Sequence, residues 1–150
     1  MYDTILVPLD GSKRAEKILP HIEELAQRYN AKAVFLQVVH PFMTLAGPGG
    51  AAYSALADLA LEQRTEEAEA YLDSLVAEFR EKDIEALARV VNGPVVGEIL
   101  DAADREGADL IAMASHGRTG VSRVFYGSVA AGVLHSVDRP LLLIRSRDDG

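Results

Sequence analysis

Residues Leu110–Val137 read LIAMASHGRTGVSRVFYGSVAAGVLHSV. The opening LIAMA is a short apolar run of the kind that fills a strand buried on both faces. At the far end Val129, Val133, Leu134 and Val137 recur at helical spacing and mark a helix. The join, Ser115–Tyr126, carries Gly117 and Gly120, and Gly127-Ser128 stands directly before the helix. A helix start presents unpaired backbone N–H groups and the positive end of a dipole, and a glycine there lets a ligand come close. Gly117 and Gly120 relieve crowding in the loop, so that successive N–H groups can turn inward as an anion nest. Ser115, Thr119, Ser122 and Ser128 add hydroxyl donors. No Asp or Glu occurs anywhere in the stretch, where an average window of this chain would hold about four. Arg118, Arg123, His116 and His135 remain in it. The chemistry described is a phosphate cradle between a buried strand and a helix.

Working outward, the same alternation repeats. Thr4–Leu9 (TILVPL) reads as a buried strand, Asp10-Gly11-Ser12 breaks it, and Ser12 is a suitable N-cap. Ile18, Leu19, Ile22, Leu25 and Ala26 mark a helix, with Pro20 expected inside it as a kink and Asn30 at its end. Ala33–Val39 reads as a second strand. His40–Ser54, rich in Gly and Pro, is expected to be a flexible loop. A long helix over Leu56–Glu81 follows, with a stripe of Ala68, Leu72, Leu75, Val76 and Phe79. Ile84–Val91 is a third strand, Gly93-Pro94 opens a third helix, and Gly107 closes it. Pro140–Ile144 is a fifth strand, and 146–150 a frayed tail. Five apolar strands alternating with amphipathic helices predict one doubly wound α/β domain over 1–150, a parallel sheet with helices on both faces. Ligands of such folds lie beyond the carboxyl ends of the strands, at the switch point.

Composition sets the limits. The net charge of −8 opposes a nucleic-acid partner. The chain has no cysteine, which excludes disulfides and thiolate metal sites. No apolar run approaches the ~20 residues of a membrane span. The N-terminus lacks a signal-peptide pattern, so a cytoplasmic location is expected. Histidines at 21, 40, 116 and 135 include no H-x-x-x-H pair. Neither G-x-x-x-x-G-K-[ST] nor a G-x-G-x-x-G after the first strand occurs. There is no G-x-S-x-G elbow, and the loop lacks the Lys and carboxylate set of efficient phosphoryl transfer. Enzymatic chemistry is therefore disfavoured beyond slow, incidental ATP hydrolysis.

The segments VPLDGS, MASHGRTGVSRVFYGSVA and RPLLLIR together resemble the universal stress protein family. The specific part is Gly117, nine residues, Gly127-Ser128. The resemblance spans the whole chain and implies a five-stranded sheet of order 3-2-1-4-5. It also implies a homodimer paired through strand 140–144, binding of ATP or AMP, and Mg²⁺ with ATP. Carried over residue by residue, Gly117, Gly127 and Ser128 contact phosphate. Asp10 lies near the ribose or a bound magnesium ion. The Val38 backbone meets adenine, and Pro8 and Leu9 wall the base. His116, Gly120 and Val129 lie within or beside the motif, Arg118 and Arg123 offer a cation to the phosphate, and these complete the candidate set. Ala114 stands where nucleotide-binding members commonly have glycine.

Simpler roles stand beside these. Asp10 serves equally as a helix cap, Val38 as core, and Arg118 and Arg123 as solvated charges. Two functional readings follow: a stress-response nucleotide-binding regulator with an unidentified protein partner, or a dimeric scaffold with an emptied pocket.

Overall fold

The computed structural model describes residues 1–40, 50–115 and 127–146. Five strands form one parallel sheet: β1 (Thr4–Leu9), β2 (Lys32–Val39), β3 (Ala86–Asn92), β4 (Leu110–Ser115) and β5 (Leu141–Arg145). Their order is β3-β2-β1-β4-β5, with every neighbouring pair parallel. This is the order that the family resemblance implied. Helices α1 (Leu19–Tyr29) and α2 (Gly50–Glu81) cover one face, and α3 (Val95–Glu106) and α4 (Ser128–Ser136) the other.

The pleat explains the two cores. Alternate residues of a strand point to opposite faces, so Ile5, Val7 and Phe35 meet Ile22, Leu72 and Phe79 on the α1/α2 side. Leu6, Val34, Leu36, Ile111 and Met113 meet Ile99, Ala102, Ala130 and Val133 on the α3/α4 side. The Phe35 and Phe79 rings stack edge to face at 4.9 Å and lock α2 onto β2. The expected α2 stripe of Ala68, Leu72, Leu75, Val76 and Phe79 is buried throughout.

Several boundaries differ from the sequence reading: β3 runs Ala86–Asn92 and not Ile84–Val91, β2 begins one residue earlier than expected, at Lys32, and the starts of α1, α2 and β5 also shift. Pro20 does not kink a helix interior. A short 3-10 turn over Ala15–Ile18 comes first, and α1 begins at Leu19, which puts Pro20 in its first turn. There the missing N–H would have had no intrahelical partner anyway. Helix α2 starts at Gly50, so Gly50–Ser54 belongs to it and not to a loop. The alanines at 51 and 52 favour helix, and no proline interrupts them. The remainder of the expected loop, 41–49, and the tail 147–150 lie outside the described residues. Pro140 precedes β5, where its carbonyl accepts the Ile111 N–H at 3.0 Å. Asn30 and Gly107 end α1 and α3 in the left-handed conformation, as expected.

Arg139 is a fastener at the amino ends of β4 and β5. Its Nη1 donates to the carbonyls of Ala103 at 3.0 Å and Ala108 at 2.8 Å, while Nη2 and Nε meet Asp104 and Asp138. It thereby ties the end of α3, the entry to β4 and the entry to β5 together.

Candidate functional site

From β1 the chain crosses to β2 over the α1 face, and from β4 to β5 over the α4 face. The switch point therefore falls between β1 and β4. The ladder joining those two strands covers only Ile5–Leu110 and Leu6–Ile111. Beyond it their carboxyl ends enclose a cavity of about 500 Å³, within the usual range for small-ligand sites.

Each wall comes from a different element. Pro8, Leu9 and Asp10 come from the end of β1, Leu36 and Val38 from β2, Met113 and Ala114 from β4. Helix α3 contributes Val95 and Ile99, the start of α4 contributes Gly127, Ser128, Val129 and Ala130, and the 3-10 turn contributes Ala15. One side is thus an apolar slot of Leu36, Val38, Val95, Ile99 and Met113. The other is polar, with Asp10, Ser128 and the backbone at the α4 start.

Gly127 is the N-cap of α4, with φ 79° and ψ 154°, and among the described residues no side-chain cap bond is made at this helix end. That backbone region is open essentially to glycine alone. The first N–H groups of α4 have no intrahelical acceptor, so the helix brings its N-terminal donors and its positive dipole end to the cavity wall.

Asp10 has a local task and a rim position at once. Its Oδ1 accepts the Ser12 N–H at 2.9 Å, and the Ser12 Oγ accepts the Ala15 N–H at 3.1 Å. The Ser12 capping role is thus present, directed at the 3-10 turn. Nearby on the α2 side, the Tyr71 hydroxyl donates to Glu16 Oε2 at 2.5 Å. Burial pushes the Tyr71 ionisation above its ordinary value of 10, helped by the hydrogen bond and charge of Glu16 and by the charges of Asp10 and Glu78.

Of the residues singled out from sequence, Pro8, Leu9, Asp10, Val38, Ala114, Gly127, Ser128 and Val129 all border this one cavity. His116, Gly117, Arg118, Gly120 and Arg123 lie outside the described residues. Strand alternation puts the Cβ of Ala114 on the face of Ala112, opposite to that of Met113. Its methyl therefore faces away from the apolar slot. Sequence reasoning missed Ala15, Leu36, Val95, Ile99, Met113 and Ala130. All are apolar and indistinguishable from core; only the parity of β2 and β4, with the α3 stripe, could have singled them out. A second, more open depression lies between α2 and Asn92 and includes Asp58, Glu62, Glu66 and Glu69. Its carboxylates repel a phosphate. Among the described residues no group of three or more His, Cys, Asp or Glu is arranged to hold a metal ion, and no helix is long and apolar enough to cross a membrane.

A doubly wound parallel α/β sheet with a mainly apolar cavity at its switch point places the chain in the α/β class of proteins whose ligand sites lie at that point. Within that class, the family model described as the universal stress protein family matches residues 1–145, and the chain belongs to that family. A universal stress protein from Thermus aquaticus is 32% identical over 145 residues, covering 97% of this chain and 100% of that one. Universal stress protein MJ0577 of Methanocaldococcus jannaschii is 27% identical over 158 residues, covering 99% and 98%. The solved MJ0577 structure superimposes with a TM-score of 0.83, covering 100% of this chain and 99% of that one. A universal stress protein from Archaeoglobus fulgidus, solved in complex with dAMP, shares the fold with a TM-score of 0.61 at 19% identity, covering 95% and 98%.

Proposed function

We propose that this protein is a cytoplasmic stress-response module that binds ATP or AMP in the switch-point cavity and signals occupancy to an unidentified protein partner. The observation that carries this reading is the meeting of two complementary walls. An apolar slot suits the faces of a purine, and the N–H groups of a helix start behind a positive-φ glycine suit a phosphate. The Archaeoglobus relative is described with dAMP; at its low identity it speaks for the fold, so the case rests on this chain's own residues.

Magnesium fits as a passenger of ATP. A single exposed carboxylate, Asp10, stands at the rim, and Mg²⁺ commonly takes one or two carboxylates together with substrate phosphates and water. Asp10 would supply that oxygen; the ion would neutralise phosphate charge. Among the described lining residues Asp10 is the sole ionisable group, which favours binding over efficient phosphoryl transfer.

Occupancy has a route outward. Asp10 shares its turn with Ser12, the 3-10 turn carries Glu16, and Glu16 holds Tyr71 of α2. The chain is further proposed to work as a homodimer paired through the strand at 140–144. That strand is one of the two sheet edges, and its half-buried leucines gain cover from a second copy.

The experiment is to denature the freshly purified protein and separate the released nucleotide, with light scattering on the native sample. Bound ATP or AMP and a dimer mass are expected. An empty protein that also fails to take up added nucleotide transfers the function to the scaffold reading. A monomer mass independent of concentration removes the strand-pairing dimer.

A further inference from the structure

Helix α4 approaches α3 closely at Gly132. A Cβ built there would stand 2.7 Å from Val96 Cγ2, 3.3 Å from Cγ1 and 3.5 Å from Cβ. The obstacle is a whole isopropyl group. Valine has few χ1 choices, so a side chain at 132 requires Val96 or the helices themselves to give way.

Both helices contribute to the candidate site. Val95 and Ile99, flanking Val96 on α3, line the apolar slot, while Gly127–Ala130 of α4 line the polar end. Val96 and Gly132 themselves are not among the lining residues. We infer that the Gly132–Val96 contact is a spacer that sets the width of the cavity, and so holds the α4 N–H groups at phosphate distance from a base seated against α3. Gly132 is thus a positioning residue. The inference rests on the nucleotide reading for its ligand, though not for its geometry.

A merely structural role would weaken all ligands alike. A spacer predicts a split, because adenosine occupies the slot alone whereas ATP and AMP must also reach α4. Gly132→Ala should weaken ATP and AMP by about tenfold, roughly one phosphate hydrogen bond, and leave adenosine within about twofold. Adding Val96→Ala removes the obstructing methyls and should restore most of the loss, since residues in contact couple.

Calorimetric titration of the parent, Gly132→Ala and the double variant with ATP, AMP and adenosine reads the split. Crystal structures of the three ligand-free proteins read the spacing, with α4 expected to move away from α3 in Gly132→Ala and return in the double variant. Equal weakening of all three ligands, no weakening, or no rescue overturns the positioning role. An α4 that stays in place in Gly132→Ala overturns the spacer itself. If the parent binds no adenine compound, the nucleotide reading fails by itself, and the ligand-free structures still decide the spacer.

Discussion

Replacing Gly127 by valine strikes the point where backbone conformation and ligand chemistry coincide. With φ 79° and ψ 154°, this position holds a conformation that a β-branched residue avoids. Holding valine there costs about 1–3 kcal/mol. For a chain of this size that is a fall in melting temperature of about 2–12 °C, at 2–4 °C per kcal/mol. The strain is relieved by rotating the peptide at the α4 start, which turns the first N–H groups of α4 away from the cavity. The phosphate then loses one or two charge-assisted hydrogen bonds of about 1.5–3 kcal/mol each, or at least about tenfold in Kd. Calorimetry with ATP and a thermal melt, both at one salt concentration, measure the two losses. The sheet is not involved, so far-UV circular dichroism and the oligomeric mass should be unchanged. A Gly127→Val protein that binds ATP as well as the parent would show that no phosphate sits at this helix start.

Asp10→Ala should weaken magnesium–ATP more than metal-free AMP, because Mg²⁺ loses a hard oxygen ligand; equal losses by calorimetry assign Asp10 to its turn with Ser12 alone. Ala114→Gly should leave ATP affinity unchanged or slightly tighter, since the alanine methyl lies on the α1 side of the strand; a tenfold gain would mean that the methyl obstructs the ligand. Arg139→Ala should destabilise the fold by about 2–4 kcal/mol, because two backbone carbonyls lose a charged donor; a urea melt shifted by less than about 0.5 kcal/mol, the scale of an ordinary surface change, would contradict the fastener role. The raised Tyr71 ionisation makes a pH prediction with a definite sign. Its contribution to stability is complete below the unfolded-state value near 10 and is lost as pH rises toward the higher folded-state value. The parent should therefore lose melting temperature above about pH 10 more steeply than Tyr71→Phe; parallel curves would refute the Tyr71–Glu16 link.

Strand identity was legible because β1 and β4 are covered on both faces, and such strands spell themselves as continuous apolar runs. The α2 stripe was legible for the complementary reason, one apolar face against a solvated one. Boundaries were less so. Pro20 carries the same letter whether it kinks a helix or opens one, and what decided was the 3-10 turn before it, nucleated by Ser12. Gly50 reads as a loop residue, yet the alanines after it carried the helix back to it. In the site, polar and glycine residues announced themselves by spacing, whereas Leu36, Ile99 and Met113 did not. An apolar side chain facing a cavity is spelled like one facing the core, and only the folded register separates them. The meaning of Ala114 also waited on the fold, because the direction of a methyl depends on strand parity.

The central claim is that an adenine nucleotide occupies the switch-point cavity with its phosphates on the α4 start. Titration calorimetry of the parent protein with ATP, AMP and adenosine, beside Gly127→Val, addresses it most directly. The account predicts one site per chain, tighter binding of ATP or AMP than of adenosine, and loss of that phosphate advantage in Gly127→Val. Absence of binding up to millimolar nucleotide, or an undiminished phosphate advantage in Gly127→Val, would contradict it.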